Sequence, residues 1–146
     1  RIILDTGIRT GELVNVLYRD FTIKHNSSSF IVRNHPGRTY EVNNSITTDL
    51  LRRYKKWVDF FQYQPVNFFF NRSMKPLSTV TIQKTFQHYL NNTGIKRHLT
   101  SSSLRHAFAV NLIKSNTDLN TVRYKLGYKT FEGLAIYQEY FGAEQS

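Results

Sequence analysis

Cysteine is absent from the 146 residues, which excludes disulfides and thiolate metal sites and suits a reducing cytoplasm. No apolar run approaches the length of a membrane span, the longest being the cluster at residues 66–70. Internal repeats, low-complexity tracts and linkers are also missing, so this length reads as one domain. The five His lack paired ligand spacing, and no metal is expected. Acidic residues are scarce: ten Asp and Glu face twenty Lys and Arg, a net charge of +10 with a pI near 10.0. Such a domain favours nucleic acid or an anionic membrane surface, with nucleic acid the better match, and charge alone says nothing about chemistry.

What is present is a core. Hydrophobic residues at 40%, with 14% aromatics, argue for a packed globule rather than disorder. The chain opens on Arg-Ile-Ile-Leu-Asp, which reads as the tail of an apolar helix already under way, so residues before Arg1 are expected in the full protein. Residues 10–17 read as a short helix, with Leu13, Val16 and Leu17 at helical spacing. Three β-prone segments follow, at 21–24, 30–33 and 39–42, separated by residues 25–29 and by the turn signal Asn34-His-Pro-Gly37. Residues 46–63 form the longest helical pattern. Leu50, Leu51, Tyr54, Trp57, Val58 and Phe61 make its apolar face; Arg52, Arg53, Lys55 and Lys56 make a basic one.

Pro65 stops that helix, and Phe68-Phe-Phe70 reads as a short buried strand or extended core segment. Ser78 or Thr79 caps a helix that Asn91-Asn-Thr-Gly94 ends. After the basic loop Lys96-Arg-His98, Ser101 to Ser103 cap a helix carrying Leu104, Phe108 and Leu112. Thr117 or Asp118 opens a shorter helix to Leu126, closed by Gly127, and Thr130 caps a last one from Phe131 to about Tyr140. The expected class is mainly α with a small antiparallel three-stranded β-meander.

Four segments in order carry a resemblance. They are Thr6-Gly-Ile-Arg-Thr-Gly-Glu-Leu13, Leu104-Arg-His-Ala-Phe-Ala109, Leu126-Gly-Tyr128, and Tyr137, nine positions after Tyr128. Each is weak alone; together, over nearly the whole chain, they resemble the catalytic domain of the tyrosine recombinases of phage-integrase type. The resemblance places that family's two arginines at Arg9 and Arg105, an acidic residue at Glu12 and the nucleophile at Tyr137. The arginines lie 96 positions apart (9 to 105), which leaves room for the meander and two long helices.

The chemistry fits these residue types. Attack on a phosphodiester builds negative charge on the non-bridging oxygens, which guanidinium forks hold well. Losing one such donor typically costs roughly two to three orders of magnitude in rate. Arg105 lies near a helix N-terminus, where amides and the dipole also favour an anion. A phosphotyrosyl bond conserves the phosphodiester's energy, so rejoining needs no nucleotide cofactor. Tyr140, one turn on, is the rival nucleophile. His106 reads as orienting or structural, and Gly133, in the first turn of the last helix, suits a mobile nucleophile segment.

Three positions depart from the family pattern. Ser102 stands where a His is usual; it cannot act as a base at neutral pH and reads as either a lost base or a helix cap. His98, seven residues before Arg105, could substitute only from the preceding loop. Tyr128 replaces a His or Trp but keeps an aromatic ring and an O–H donor. The turn that would hold a general-acid Lys has none; His35 is the first candidate for protonating the leaving oxygen and Lys24 the second. The resemblance implies strand exchange on double-stranded DNA through a 3′-phosphotyrosyl intermediate. It also implies a DNA-clamping domain N-terminal to this one and a homotetramer on two DNA sites. Arg52, Arg53, Lys55, Lys56, Lys96 and Arg97 are the candidate phosphate contacts. A type IB topoisomerase and an inert DNA-binding relative are the alternatives, and a DNA-associated cytoplasmic location is expected.

Overall fold

The computed structural model describes residues 1–33 and 37–141. His35 lies outside the described residues.

Helix α1 (Ile2–Thr6) ends where Gly7 turns left-handed at φ 67°, its N–H donating to the Ile3 carbonyl at 2.8 Å. A side chain at Gly7 would also strike the Phe108 ring, 2.3 Å from an ideal Cβ. Helix α2 (Thr10–Leu13) is much shorter than the expected 10–17. The chain instead extends so that Val16 and Tyr18 can pair with the buried Phe68 segment: Phe68 N–H donates to Val16 O at 2.8 Å, and Tyr18 N–H to Val66 O at 2.9 Å. Phe68 is fully buried, and backbone polar groups beside it need partners that a continued helix would not supply.

A 3-10 turn (Tyr18–Asp20) leads into β1 (Phe21–Ile23), β2 (Ser28–Val32) and β3 (Arg38–Val42), paired antiparallel in the order β1-β2-β3. Register sets Phe30 opposite both Phe21 and Tyr40, and these rings stack at 4.8 and 5.3 Å. Phe68 closes on Phe21 at 3.7 Å.

Helix α3 (Ser45–Phe60) is capped by Asn44, whose side chain accepts from Ile46 and Thr47 N–H. It buries Thr47, Thr48, Leu51 and Val58, but Leu50, Trp57 and Phe61 of the expected apolar face are exposed. Ser78 caps α4 (Thr79–Asn91). Thr100 is the cap residue of α5 (Ser101–Lys114), with Ser103 Oγ accepting the Thr100 N–H at 3.0 Å in return, and Asp118 caps α6 (Leu119–Leu126).

The last segment departs from the expected helix. Residues Phe131–Tyr137 wind as a 3-10 helix and only Gln138–Phe141 (α7) is α-helical. Threefold winding aligns residues three apart, which puts Leu134 and Tyr137 together in the core. Two apolar clusters result, one around the sheet, α1 and α3, the other between α5, α6 and the 3-10 segment.

Candidate active site

Arg105 ties the two clusters together. It is 8% exposed, and its Nη1 donates to the Gly7 carbonyl while Nη2 donates to Leu126 O at 2.7 Å. One guanidinium therefore fixes the start of the first arginine segment against the end of α6. Two of its five N–H donors are engaged in this way.

Arg9 is placed differently. It is the extended residue before α2, and its backbone N–H donates to Glu12 Oε2 at 3.2 Å, the reciprocal half of a capping box. Its side chain is 46% exposed, with the guanidinium 3.9 Å from Glu12 Oε1 and 5.5 Å from the Tyr128 ring centre. Arg105 lies 5.4 Å from the same ring, so two cations flank Tyr128.

Tyr137 joins them from the 3-10 segment. It is only 2% exposed, and its hydroxyl is pushed up to about 12. Burial is the main cause; Tyr128 adds to it, while Arg105 and Arg9 pull the other way without prevailing. These side chains, with Ser102 and His106, line one cleft of about 640 Å³ whose rim includes the first turn of α5. Four segments thus converge on one hollow, and a phosphate is the group it suits: two guanidiniums, a helix N-terminus and two phenols.

Ser102 is exposed on that first turn, and the cap belongs to Thr100, so the capping interpretation of Ser102 fails. His106 packs its ring 5.1 Å from Tyr137 and 5.9 Å from Tyr140. Both tyrosines therefore flank one imidazole, which brings Tyr140 closer to the site than its place in the sequence suggests. Gly133 has a use that helix weakening did not reveal: an ideal Cβ there would lie 2.4 Å from the Tyr128 ring.

Glu12 faces inward. Its Oε1 accepts from Arg38 Nη2 at 2.7 Å, and its Oε2 from the Tyr40 hydroxyl at 3.3 Å. Sequence reasoning passed over Arg38 and Tyr40, because nothing local marks a residue whose partners come from distant segments.

Lys24 sits exposed at the β1–β2 turn and does not line the cleft, nor does His98. Of the basic candidates, Arg52 holds the carbonyls of Lys24 and His25 at 2.8 and 2.6 Å, and Lys55 pairs with Asp59 at 2.8 Å. Arg53, Lys56, Lys96 and Arg97 are exposed. Among the described residues no cluster of His, Cys, Asp or Glu could hold a metal, and no helix is long and apolar enough to cross a membrane.

With this geometry in place, the comparisons are specific. A sequence model of the phage integrase family matches residues 1–142. A tyrosine recombinase of Agathobacter rectalis is 28% identical over 138 residues, covering 93% of this chain and 44% of the relative. The tyrosine recombinase XerC of Chlamydia pneumoniae is 26% identical over 143 residues, 92% of this chain and 43% of its own length. The chain thus spans less than half the length of these relatives. The solved XerH recombinase bound to its difH substrate superposes with a TM-score of 0.79 at 23% identity, over 93% of this chain and 40% of that one. XerA gives 0.79 at 23%, over 92% and 48%. At these identities the structural likeness speaks for the fold: a recombinase catalytic-domain architecture, mostly helical around a three-stranded antiparallel sheet.

Proposed function

Since the chain belongs to the phage integrase family of tyrosine recombinases, we propose that it cuts and rejoins double-stranded DNA at a specific site through a 3′-phosphotyrosyl intermediate on Tyr137. The observation that carries this is the convergence of Arg9, Arg105, Tyr128 and Tyr137 on a single cleft. Arg9 offers an exposed fork to the non-bridging oxygens, and Arg105 contributes the donors not engaged with carbonyls. Tyr128 supplies a further O–H, and Ser102 can donate from the helix N-terminus.

The Tyr137 oxygen attacks phosphorus and gives up its proton; the bond to the 5′ oxygen breaks, and that oxygen takes up a proton. His35 is the proposed acid for this last step, with Lys24 the alternative. Rejoining is the reverse, with the 5′-hydroxyl as nucleophile. Arg53, Lys56, Lys96 and Arg97 are the proposed phosphate contacts along the duplex, and assembly as a homotetramer on two sites is part of the same proposal.

The test is a nicked duplex bearing the sequence that the protein retains best from a randomised pool. The nick lets the short 5′-hydroxyl strand diffuse away, so cleavage is trapped as a covalent protein–DNA product on a denaturing gel. An adduct at the 3′-phosphate side is the expected result. Binding without any adduct would make the chain a DNA-binding relative, and relaxation of supercoiled DNA lacking that sequence would favour a topoisomerase.

A further inference from the structure

Arg38 opens β3 and does not line the cleft, yet its side chain is only 11% exposed. Its Nη2 binds Glu12, its guanidinium lies 5.0 Å over the Tyr40 ring, and Nη1 is buried with no acceptor among the described residues. Burying an ion pair contributes little net stability, and an unsatisfied N–H beside it is a further cost. Stability is therefore a poor reason for this placement. Its neighbours supply a better one.

Glu12, held by Arg38 through Oε1, uses Oε2 to receive the backbone N–H of Arg9. On the other side, the Arg38 guanidinium lies close against Gly127: an ideal Cβ at that residue would fall 1.3 Å from Nη1. Gly127 also sits at φ 66°, and Tyr128 follows it directly. One rigid planar group thus touches both the segment that presents Arg9 and the turn that presents Tyr128. A lysine could supply the charge at this position but not the plane.

We propose that Arg38 is a positioning residue for strand transfer, fixing the separation of Arg9 and Tyr128 around the scissile phosphate. This rests on the strand-transfer reading above. Arg38→Lys keeps a cation opposite Glu12 and loses the fork, so adduct formation on the nicked duplex should slow by about tenfold or more, as a small misplacement of a reacting group does. DNA affinity should stay within about twofold, because Arg38 does not line the cleft that receives the phosphate.

A merely structural role would lower the melting temperature and affinity along with the rate. Positioning through Arg9 instead predicts coupling: Arg38→Lys combined with Arg9→Lys should be about as slow as the slower single variant, not the product of the two losses. Should Arg38→Lys fail to fold, Tyr40→Phe removes the hydroxyl that donates to the same Glu12 carboxylate and should slow adduct formation with binding unchanged. Wild-type rate in the folded variants, or multiplicative losses in the double, overturns the proposal alone. Absence of an adduct from the wild-type protein overturns the strand-transfer reading, and this one with it.

Discussion

At the scale of the residue, the question raised by the proposed nucleophile is how Tyr137 would lose its proton. Its hydroxyl stands at about 12 through burial and the adjoining Tyr128, so about one molecule in 10⁵ carries the phenolate near pH 7. That fraction grows tenfold per pH unit. A substrate with sulfur in place of the 5′ bridging oxygen needs no leaving-group proton. On it, single-turnover adduct formation should rise about tenfold per unit from about pH 6 to 9 without a plateau. With the ordinary oxygen substrate the rise should flatten where the acid that protonates the leaving oxygen loses its proton. A plateau on the sulfur substrate would mean that a base with a lower pKa takes the proton. The resemblance of four segments, taken with their spacing, pointed to Arg9, Arg105, Tyr128 and Tyr137 in the sequence. It could not show that Tyr137 is buried or that Gly133 makes room for Tyr128, since those depend on packing between segments.

At the scale of the element, the strands were legible because Phe, Tyr and Val alternate between clear turn signals. The caps at Ser78 and Asp118 were legible for a similar local reason. Two of the departures, the short α2 and the 3-10 segment, share one cause: tertiary partners overrode helical periodicity. One ion pair shows what holds an element junction. Arg33, just past β2, donates to Asp20 at 2.6 and 2.5 Å, and its guanidinium keeps that carboxyl below the usual range. A carboxyl with a depressed native pKa adds stability that is fully present above the unfolded value, about 3.9. That contribution is lost as pH falls through the lower native value. Arg33→Gln should therefore move the acid-unfolding midpoint, followed by circular dichroism, to higher pH. The shift should be small because Arg33 is largely exposed. An unchanged midpoint would remove the pair from the acid stability of the fold.

At the scale of the whole molecule, a charge of +10 pointed to nucleic acid before any motif did, but only the structure separates engaged cations from available ones. Arg52 and Lys55 have partners within the chain, whereas Arg53 and Lys56 are exposed on the same helix. Reversing Arg53 and Lys56 to Glu should weaken binding to all DNA sequences and flatten the salt dependence of affinity, by about 0.9 in log–log slope for each phosphate no longer neutralised. Equal affinity and slope would take this face out of the interface.

The most direct test of the whole account is the identity of the tyrosine that carries the DNA. Tyr128, Tyr137 and Tyr140 all lie within or beside the cleft, and His106 packs against the last two. Phe replacements remove a single oxygen each, so circular dichroism should be unchanged. The adduct trapped on the nicked duplex, digested and sequenced by mass spectrometry, should carry its nucleotide on Tyr137. Tyr137→Phe should bind DNA and form none, while Tyr140→Phe still forms it and Tyr128→Phe forms it slowly. A nucleotide mapped to Tyr140 or Tyr128, or an adduct persisting in Tyr137→Phe, would contradict the account.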